Sequence, residues 1–328
     1  MNNYATHHGA RSWAVVLAGG DGSRLHALTR NASGIAVPKQ FCSLQGGPCL
    51  LETALRRVSA IAPFRRVCTV VAAQHRRWWQ GLFSDLPAQN VIIQPHNRGT
   101  AHGILLALLQ ILARDPDAHV VLLPADHYVR DEGTLARYLR RAAELARIND
   151  REVYLLGIEP DAPDTEFGYV VPGPRRFKDS PSQVLKFVEK PTAEMAKVLL
   201  DGGALWNTFM IAGSLWALLR LFDGSFSSTF VSISHMTERR IKLERGVFDQ
   251  IYERLPSIDF SRDVLQRHET MLRVLPVPNC GWNDLGTPQR IGMTLRHLQE
   301  DFDAPRTQAT QFHLNLADQY ARCNPSAP

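Results

Sequence analysis

The chain has 328 residues, of which 45% are hydrophobic, so it can bury the core of one large α/β domain or two smaller ones. The formal net charge of +5 comes without a long run of lysine and arginine, which argues against a nucleic-acid-binding surface. The five cysteines fall into no metal-binding spacing, and no apolar run approaches the roughly 20 residues of a membrane span. We therefore expect a cytoplasmic protein that binds neither nucleic acid nor membrane.

The first predicted strand, residues 14–18, is a short apolar run typical of a strand buried on both faces of a parallel sheet. A turn follows at once, and its small residues let backbone N–H groups approach a ligand. Its glycines are Gly19, Gly20 and Gly22. Arg24 in this turn and Lys39 beyond it would add full positive charges to the partial charges of the amides. The stretch therefore predicts a site for an anion such as a phosphate.

Better-known glycine motifs do not fit this turn. The dinucleotide-binding fingerprint requires a third glycine where this chain has Leu25. The P-loop requires Gly-Lys-Ser or Gly-Lys-Thr, which does not occur in the sequence. A plain tight turn stays open as the alternative, although Arg24 and the PKQF segment at residues 38–41 favour phosphate binding.

After the turn, helices alternate with buried strands, which is the pattern of an α/β sheet flanked by helices. Apolar spacing predicts helices over residues 50–61, 74–86, 104–113 and 133–148. Buried runs predict strands over residues 67–73, 91–93, 119–123, 153–158, 184–188 and 272–277. Further helices are predicted over 193–200 and 288–299, and a mostly helical stretch over 214–255.

Gln94 follows the predicted strand at 91–93 and begins a polar loop that leads into the next helix. Asn97, Gly99 and Thr100 place small and hydrogen-bonding groups at the N-terminus of that helix, where an anion or the edge of a base can bind. An ordinary helix cap explains the same residues equally well. Both interpretations stay open from the spacing alone.

Two acidic motifs compete as metal sites. Asp126 follows the predicted strand at 119–123, and ligands of open α/β sheets bind outside the carboxyl ends of the strands. Asp126 is therefore well placed for Mg²⁺, which prefers oxygen ligands, with a helix cap or turn as the alternative. Asp115 and Asp117 form an Asp-x-Asp motif of the type used by many glycosyltransferases. They lie before the strand, so we interpret them as a helix-terminating turn.

Polar residues recur after the apolar runs of the second half of the chain. Glu189 and Lys190 follow the predicted strand at 184–188, where they could contact a ligand at the edge of the sheet. A surface ion pair between the two side chains is the alternative explanation. Asn207 offers both a donor and an acceptor for a polar ligand. Asp259 suits a helix N-cap as well as a ligand contact, and Trp206 is expected to serve packing.

Several of these motifs together resemble a known family. LAGGDGSRL followed by PKQF resembles the signature of the sugar-nucleotide pyrophosphorylases, and the PKQF form is similar to the mannose-1-phosphate guanylyltransferase branch. NRGTA, LPADH, EFGYVV, VEKP, LWNTF and GWNDLG resemble further segments of the family, in the family's order. The resemblance covers residues 14–290, although His102 stands where that branch usually has a proline.

The resemblance implies an α/β fold with a Rossmann-like, mostly parallel sheet flanked by helices in a single main domain. That domain would span residues 13–300, with a nucleotide-binding half at about 13–150 and a sugar-binding half at about 151–290. Residues 1–12 are expected to form a flexible leader, and residues 301–328 a tail that is partly ordered at best.

The resemblance also implies roles for individual residues. Those expected to act in catalysis are Arg24, Lys39, Asp126 and Lys190. Those expected to bind the nucleotide are Leu17, Ala18, Gly19, Gly20, Gly22, Ser23, Gln94, Asn97, Gly99 and Thr100. Those expected to bind the sugar are Gly168, Glu189 and Asn207. Mg²⁺ would be held by Asp126 and Asp284.

The implied reaction forms a nucleotide sugar and pyrophosphate from a nucleoside triphosphate and a sugar 1-phosphate. GTP and mannose 1-phosphate are the favoured substrates, and GDP-mannose is the favoured product. The alternatives are the same reaction with another base or sugar, a glycosyltransferase, or a non-catalytic protein that binds a nucleotide sugar. The expected partners are the two substrates, with a homodimer as a candidate assembly.

Overall fold

The computed structural model describes residues 12–31, 33–224, 249–250, 252–300 and 314–315. The strands are β1 (Ser12–Ala18), β2 (Cys42–Ser43), β3 (Val67–Ala72), β4 (Val91–Gln94), β5 (His119–Pro124), β6 (Val153–Ile158), β7 (Gly168–Pro172), β8 (Ser182–Glu189), β9 (Leu205–Ser214), β10 (Leu272–Val277) and β11 (Leu314–Asn315). The helices include α1 (Leu50–Val58), α2 (Arg76–Trp79), α3 (Thr100–Leu112), α4 (Glu132–Ile148), α5 (Ala193–Asp201), α6 (Leu215–Arg220) and α7 (Pro288–Glu300).

One large sheet organises the described residues, with the strand order β4-β3-β1-β5-β9-β6-β10-β8-β7. The strands β4, β3, β1 and β5 pair in parallel, as do β6 and β10. The strand β9 lies between β5 and β6 and is antiparallel to both, and β8 is antiparallel to β10 and β7. The expected α/β fold, with a mostly parallel sheet, flanking helices and a single main domain, is confirmed.

The central strands bury both of their faces, as the apolar runs predict. In β1, Ala14 and Val16 belong to a core cluster that includes residues of α1 and α4. Trp13 and Val15 belong to a second cluster that includes residues of α3 and α6. Side chains alternate between the two faces of a strand, so a continuous apolar run fits a sheet covered by helices on both sides. The parallel strands end at a common edge, where the predicted site residues follow them.

One predicted helix is wrong in extent. The sequence predicts a helix over residues 74–86, but α2 covers only Arg76–Trp79 after a 3-10 turn at Ala73–His75. The Trp79 indole N–H donates to Ala72 O at 2.9 Å, which buries the ring against the end of β3. The apolar residues that follow pack on the core from turns, so their spacing does not reflect a helix face.

Some predictions fall wholly or partly outside the described residues. Of the expected leader at 1–12 the structure describes Ser12, which begins β1. Of the expected tail at 301–328 it describes β11, which pairs in parallel with β2. The predicted mostly helical stretch at 214–255 is described in part, with α6 near its start.

Candidate active site

A cavity of about 420 Å³ opens at the carboxyl ends of β1, β4 and β5. The predicted site residues that line it are Leu17, Gly19, Gly20, Gln94, Asn97, Gly99, Thr100 and Asp126. Residues without a predicted role also line it, namely Val70, Gly103, Pro124 and Phe209. The structure therefore gathers most of the predicted nucleotide-binding residues around one space.

Gln40 fixes the shape of the glycine turn. Its amide nitrogen Nε2 donates to Ala18 O and to Gly20 O, both at 2.9 Å. Gly22 has a φ of 62°, a left-handed conformation that favours glycine, and it precedes the short 3-10 turn Ser23–Leu25. Because a buried side chain holds the carbonyl groups, the turn presents one shape to a ligand.

Asp21 ties the glycine turn to two neighbouring loops. Asn97 Nδ2 donates to Asp21 Oδ2 at 2.8 Å, and Gln74 Nε2 donates to Asp21 Oδ1 at 3.1 Å. His75 Nε2 also lies 3.1 Å from Asp21 Oδ1. Asn97 therefore supports the turn from outside as well as lining the cavity.

Gln94 is buried between two glycines. A Cβ atom added at Gly19 would lie 2.7 Å from Gln94 Oε1, and one added at Gly103 would lie 2.8 Å from the same oxygen. Gln94 Nε2 donates to Tyr252 Oη at 2.8 Å. The amide nitrogen is thus engaged with Tyr252, and the carbonyl oxygen lies between two glycines that line the cavity.

A later segment of the chain covers the N-terminus of α3. Phe260 N donates to Thr100 Oγ1 at 3.0 Å, and Ala101 N donates to Ile258 O at 3.3 Å. Asp259 caps the next helical turn by accepting from Arg262 N at 3.0 Å, and it also lines the cavity. The structure therefore shows the N-cap, and the ligand contact stays a prediction. Among the residues that the structure describes, no side chain caps the first amides of α3, and Ile258 O accepts from one of them instead, so the helix-cap interpretation of Asn97 and Thr100 is wrong. The role of this loop toward a nucleotide stays a prediction.

Asp126 and Asp284 meet around Lys39. Tyr128 and Asn283 pair across the loops that follow β5 and β10, which brings the two aspartates to one edge of the sheet. Lys39 Nζ lies 3.1 Å from Asp126 Oδ2 and also donates to the main-chain oxygen of Asp284. The lysine side chain is only 7% exposed, so its charge is fixed between these groups.

The donors at this edge fit a magnesium ion. Mg²⁺ keeps several waters and takes one or two protein carboxylates together with substrate phosphates. Asp126 and Asp284 would provide those carboxylates. The described residues contain no group of three or more His, Cys, Asp or Glu side chains that could hold a metal, so water and substrate oxygens would have to complete the site. The Lys39 ammonium between the two loops indicates that the edge favours a positive charge.

Burial and neighbouring charges set the ionisation of the groups around this edge. Burial lowers the pKa of His127 to about 4, so the ring is neutral, and its Nδ1 accepts the Trp282 indole N–H at 3.2 Å. His127 is therefore a hydrogen-bonding residue of this loop. Burial would raise the pKa of Asp284, but the surrounding imidazole, guanidinium and ammonium groups lower it below its ordinary value. Asp284 is therefore charged near neutral pH.

The predicted sugar residues meet on three adjacent strands. Gly168 on β7 pairs with Glu189 on β8, and a Cβ atom at Gly168 would lie 2.5 Å from Glu189 Oε2. Asn207 lies on β9 directly after Trp206, which pairs with Tyr169 of β7. The absence of a side chain at position 168 therefore leaves room for the Glu189 carboxylate.

The two predicted charged residues of this region differ in their surroundings. Burial raises the pKa of Glu189 to about 7, and the charge of Asp259 adds to the shift. Lys190 is exposed and has a φ of 49°, which is uncommon for a residue other than glycine, and its backbone N–H donates to Phe167 O at 3.2 Å. Residues held in such conformations cluster at ligand sites.

Two arginines connect the second half of the chain to these loops. Arg24, a predicted catalytic residue, forms an ion pair with Glu166, and both side chains are more than one-third exposed. Arg290 bonds Asp284 Oδ1 and lies 3.0 Å from Asp164 Oδ2. Arg24 thus points across the cleft toward the sugar-side loop, while Lys39 lies at the aspartates.

Two packing and turn predictions are confirmed. Trp206 packs on Phe167 with ring centroids 4.5 Å apart, which fits its expected packing role. Asp115 accepts from the Trp13 indole N–H at 2.9 Å, and its backbone N–H donates to Ile111 O at 2.8 Å. Asp115 therefore ends α3 as expected and belongs to the opposite end of the sheet from Asp126.

A family model described as nucleotidyl transferase matches residues 13–300 of the chain. The chain belongs to the nucleotidyl transferase family. Mannose-1-phosphate guanylyltransferase 2 of Escherichia coli O157:H7 is 31% identical over 295 residues, which cover 85% of this chain and 58% of that protein. Alginate biosynthesis protein AlgA of Pseudomonas aeruginosa is 27% identical over 283 residues, which cover 83% of this chain and 56% of that protein.

The solved structures include a similar fold. A crystal structure described as mannose-1-phosphate geranyltransferase from Thermus thermophilus matches this nucleotidyl transferase with a TM-score of 0.72 and 27% identity, covering 91% of this chain and 81% of that one. The resemblance to sugar-nucleotide pyrophosphorylases of the mannose-1-phosphate guanylyltransferase branch is confirmed. The chain spans a little over half the length of the curated relatives given above. Among its described helices, none combines the length and apolar character that crossing a bilayer requires.

Several residues of this nucleotidyl transferase site have no role predicted from the sequence: Asp21, Gln40, Glu166, Tyr252 and Arg290. Gln40 lies inside the PKQF motif, and Glu166 lies two positions before Gly168, so proximity to a motif is the signal that points to them. Tyr252 bonds a residue 158 positions away, and Arg290 bonds one that is 126 positions away. No local spacing connects such distant partners.

Proposed function

We propose that this nucleotidyl transferase forms a nucleotide sugar and pyrophosphate from a nucleoside triphosphate and a sugar 1-phosphate. GTP and mannose 1-phosphate are the proposed substrates, and GDP-mannose is the product. The observation that carries the proposal is the Lys39-Gln40 pair. Lys39 contacts both predicted metal aspartates, and Gln40 holds the carbonyl groups of the glycine turn. One short segment thus connects the predicted triphosphate site to the predicted metal site.

The proposed chemistry needs positioning and charge neutralisation, and it needs no general base. A sugar phosphate is already largely ionised near neutral pH, because its second pKa is about 6. Its oxygen forms a bond to the α-phosphorus while the bond from that phosphorus to the bridging oxygen breaks. Pyrophosphate leaves with the electron pair. Holding the reactants in line and stabilising the spreading charge supplies the rate.

The glycine turn, two basic residues and the aspartates each have a part in this mechanism. The backbone amides of residues 19–22 hold the β- and γ-phosphates, and Arg24 and Lys39 neutralise the charge that develops on the leaving pyrophosphate. Arg24 exchanges its ion pair with Glu166 for the phosphate in this scheme. Asp126 and Asp284 would hold Mg²⁺, which supplies further charge neutralisation when it is bound.

The sugar 1-phosphate enters from the side of β7, β8 and β9. Lys190 holds its phosphate, and its exposed side chain is free to reach a ligand in the cleft. Gly168, Glu189 and Asn207 face the sugar ring. Their location on neighbouring strands supports a common role, because carboxylate and amide groups together can bind several sugar hydroxyls.

The surroundings of Gln94 support guanine as the base. Its Oε1 atom, an acceptor, lies between two glycines that line the cavity, while its Nε2 atom donates to Tyr252. Guanine carries an N–H donor at N1, whereas adenine has an acceptor there that would face the carbonyl oxygen unpaired. A buried polar group left unpaired is a strong source of discrimination. The thymine and uracil N3–H groups would also pair with this oxygen. Gln94 therefore favours guanine over adenine and does not select guanine over thymine or uracil.

The choice of mannose rests on the relatives and on the PKQF motif. The relative from Escherichia coli O157:H7 is a mannose-1-phosphate guanylyltransferase by name. A cytoplasmic location and a homodimer stay predictions.

A matrix of nucleoside triphosphates against sugar 1-phosphates, scored by pyrophosphate release, tests the proposal. We expect the highest kcat/KM for GTP with mannose 1-phosphate. Activity with only UTP or dTTP would overturn the guanylyltransferase assignment and leave the reaction class standing. Absence of pyrophosphate release across the matrix would overturn the reaction class. Consumption of a nucleotide sugar without pyrophosphate release would instead indicate a glycosyltransferase.

A further inference from the structure

Arg290 lies in the first turn of α7, directly after the loop that carries Asp284. It is only 9% exposed, and its guanidinium lies 4.1 Å from the centroid of the Phe167 ring. One guanidinium nitrogen bonds Asp284 Oδ1, and the other lies 3.0 Å from Asp164 Oδ2. A planar guanidinium can make both bonds at once while stacking on the ring, which a lysine ammonium cannot do.

Arg290 determines which oxygen of Asp284 stays available. Asp284 Oδ1 accepts from Arg290 and also from Gly286 N at 2.9 Å. Within the part of the chain that the structure describes, Asp284 Oδ2 has no such donor. The carboxylate is therefore held by one oxygen, with the second oxygen left for a cation at the edge that also holds Asp126.

The other end of the same guanidinium holds a turn on the sugar side. Asp164 Oδ1 accepts from Glu166 N at 2.7 Å, and Asp164 N donates to Tyr169 Oη at 2.9 Å. Only Phe167 separates this turn, residues 164–166, from the predicted sugar residue Gly168. Arg290 thus connects the turn to the aspartate loop through a single buried group.

We propose that Arg290 is a positioning residue that orients the Asp284 carboxylate for a divalent cation and fixes it relative to the sugar-side turn at 164–166. The inference rests on the proposed function, because it assumes that Asp284 binds the cation. Residues that orient metal ligands through a hydrogen bond typically change metal affinity or activity by about 10- to 100-fold when replaced.

Direct cation binding tests this role independently of turnover. Mn²⁺ is titrated into the full chain in the presence of GDP-mannose and followed by electron paramagnetic resonance. The variants are R290Q, which removes the charge, and R290K, which keeps the charge but cannot bond both carboxylates. We expect R290Q to weaken Mn²⁺ binding by about 10- to 100-fold and R290K to weaken it less. The Mg²⁺ concentration for half-maximal pyrophosphate release should rise in parallel.

Arg273 provides the matched control. It forms a comparable ion pair with Glu152 at 2.6 Å, with side-chain exposures of 25% and 19%, on β10 and away from the cavity. R273Q should lower the thermal midpoint but leave Mn²⁺ affinity unchanged. If R273Q weakens Mn²⁺ binding as much as R290Q does, the effect is general destabilisation and the inference is overturned.

The Mn²⁺ affinities of R290Q, R290K and the wild type each test the role of Arg290. Wild-type Mn²⁺ affinity in R290Q overturns the inference, and if R290Q fails to fold, wild-type affinity in R290K overturns it. In both cases pyrophosphate release by the wild-type chain leaves the proposed function standing. A wild-type chain that binds no Mn²⁺ overturns the inference, and the substrate matrix then judges the reaction by itself.

Discussion

Replacing Glu189 with glutamine tests the effect of burying a carboxylate beside the sugar site. Burial raises the pKa of Glu189 from its ordinary 4.5 to about 7, and the negative charge of Asp259 adds to the shift. Lys190 and Arg262 oppose the shift without cancelling it. The folded protein therefore binds this proton more tightly than the unfolded chain does.

The direction of the pH effect follows from that difference. The raised pKa contributes stability that is fully present below pH 4.5 and is lost as the pH rises through about 7. A shift of this size corresponds to at most about 3 kcal/mol, and relaxation around the partly accessible carboxylate leaves about 1–3 kcal/mol. Glutamine stays neutral at every pH of interest. As the pH rises from about 5 to about 8, the free energy of unfolding of the wild type should fall by about 1–3 kcal/mol more than that of E189Q.

Urea denaturation at several pH values measures this difference, because other titrating groups are the same in both proteins and cancel. E144Q is the matched control, since Glu144 is an exposed carboxylate on α4. It should follow the wild-type curve. If plots of the free energy of unfolding against pH stay parallel for E189Q and the wild type, the burial argument is refuted. An equal change in E144Q would show that overall charge causes the effect.

Three further tests address the rest of the site. Asp126→Asn and Asp284→Asn should each lower Mg²⁺-dependent pyrophosphate release on the order of 100-fold, and intact turnover in either variant would contradict the metal assignment. Gln40→Ala should lower the free energy of unfolding by about 2 kcal/mol, because two carbonyls of the glycine turn lose their donor; an unchanged urea midpoint would contradict this. Tyr252→Phe frees the Gln94 amide nitrogen, so the ratio of kcat/KM for GTP to that for ATP should fall by about 5- to 10-fold. A constant ratio would argue against base selection by this pair.

The central strands were predictable because burial on both faces leaves a continuous apolar run. The predicted strand at 272–277 coincides with β10, and the one at 153–158 coincides with β6. β9 lies equally deep in the sheet, but Asn207 and Thr208 interrupt its apolar run. Thr208 Oγ1 donates to Leu156 O at 2.8 Å, so the fold satisfies a polar group inside a strand that the apolar runs do not predict. The direction of β9 comes from its pairing with β5 and β6, which no local pattern specifies.

The motifs predicted which residues form the site better than they predicted the contacts between them. Family motifs brought Lys39, Asp126 and Asp284 into one hypothesis, and the fold brings these residues together. The ion pair of Arg24 with Glu166 joins residues 142 positions apart, and neither side chain shows a spacing that would reveal the other. Such contacts depend on how the loops at the sheet edge fold over the cavity, which is a property of the whole chain.

The strand β9 also limits how the protein can move. Its hydrogen bonds to β5 and β6 run through the middle of the sheet, so the predicted nucleotide half and the predicted sugar half share one continuous backbone network. A hinge between the halves would have to break that network, whereas the turn at 164–166 is held by a few side chains. We therefore expect motion during a catalytic cycle in the loops at the edge of the sheet and not between the two halves. In amide hydrogen exchange, β5 and β9 should exchange slowly as a single cooperative unit, and the turn at 164–166 should exchange faster than these strands.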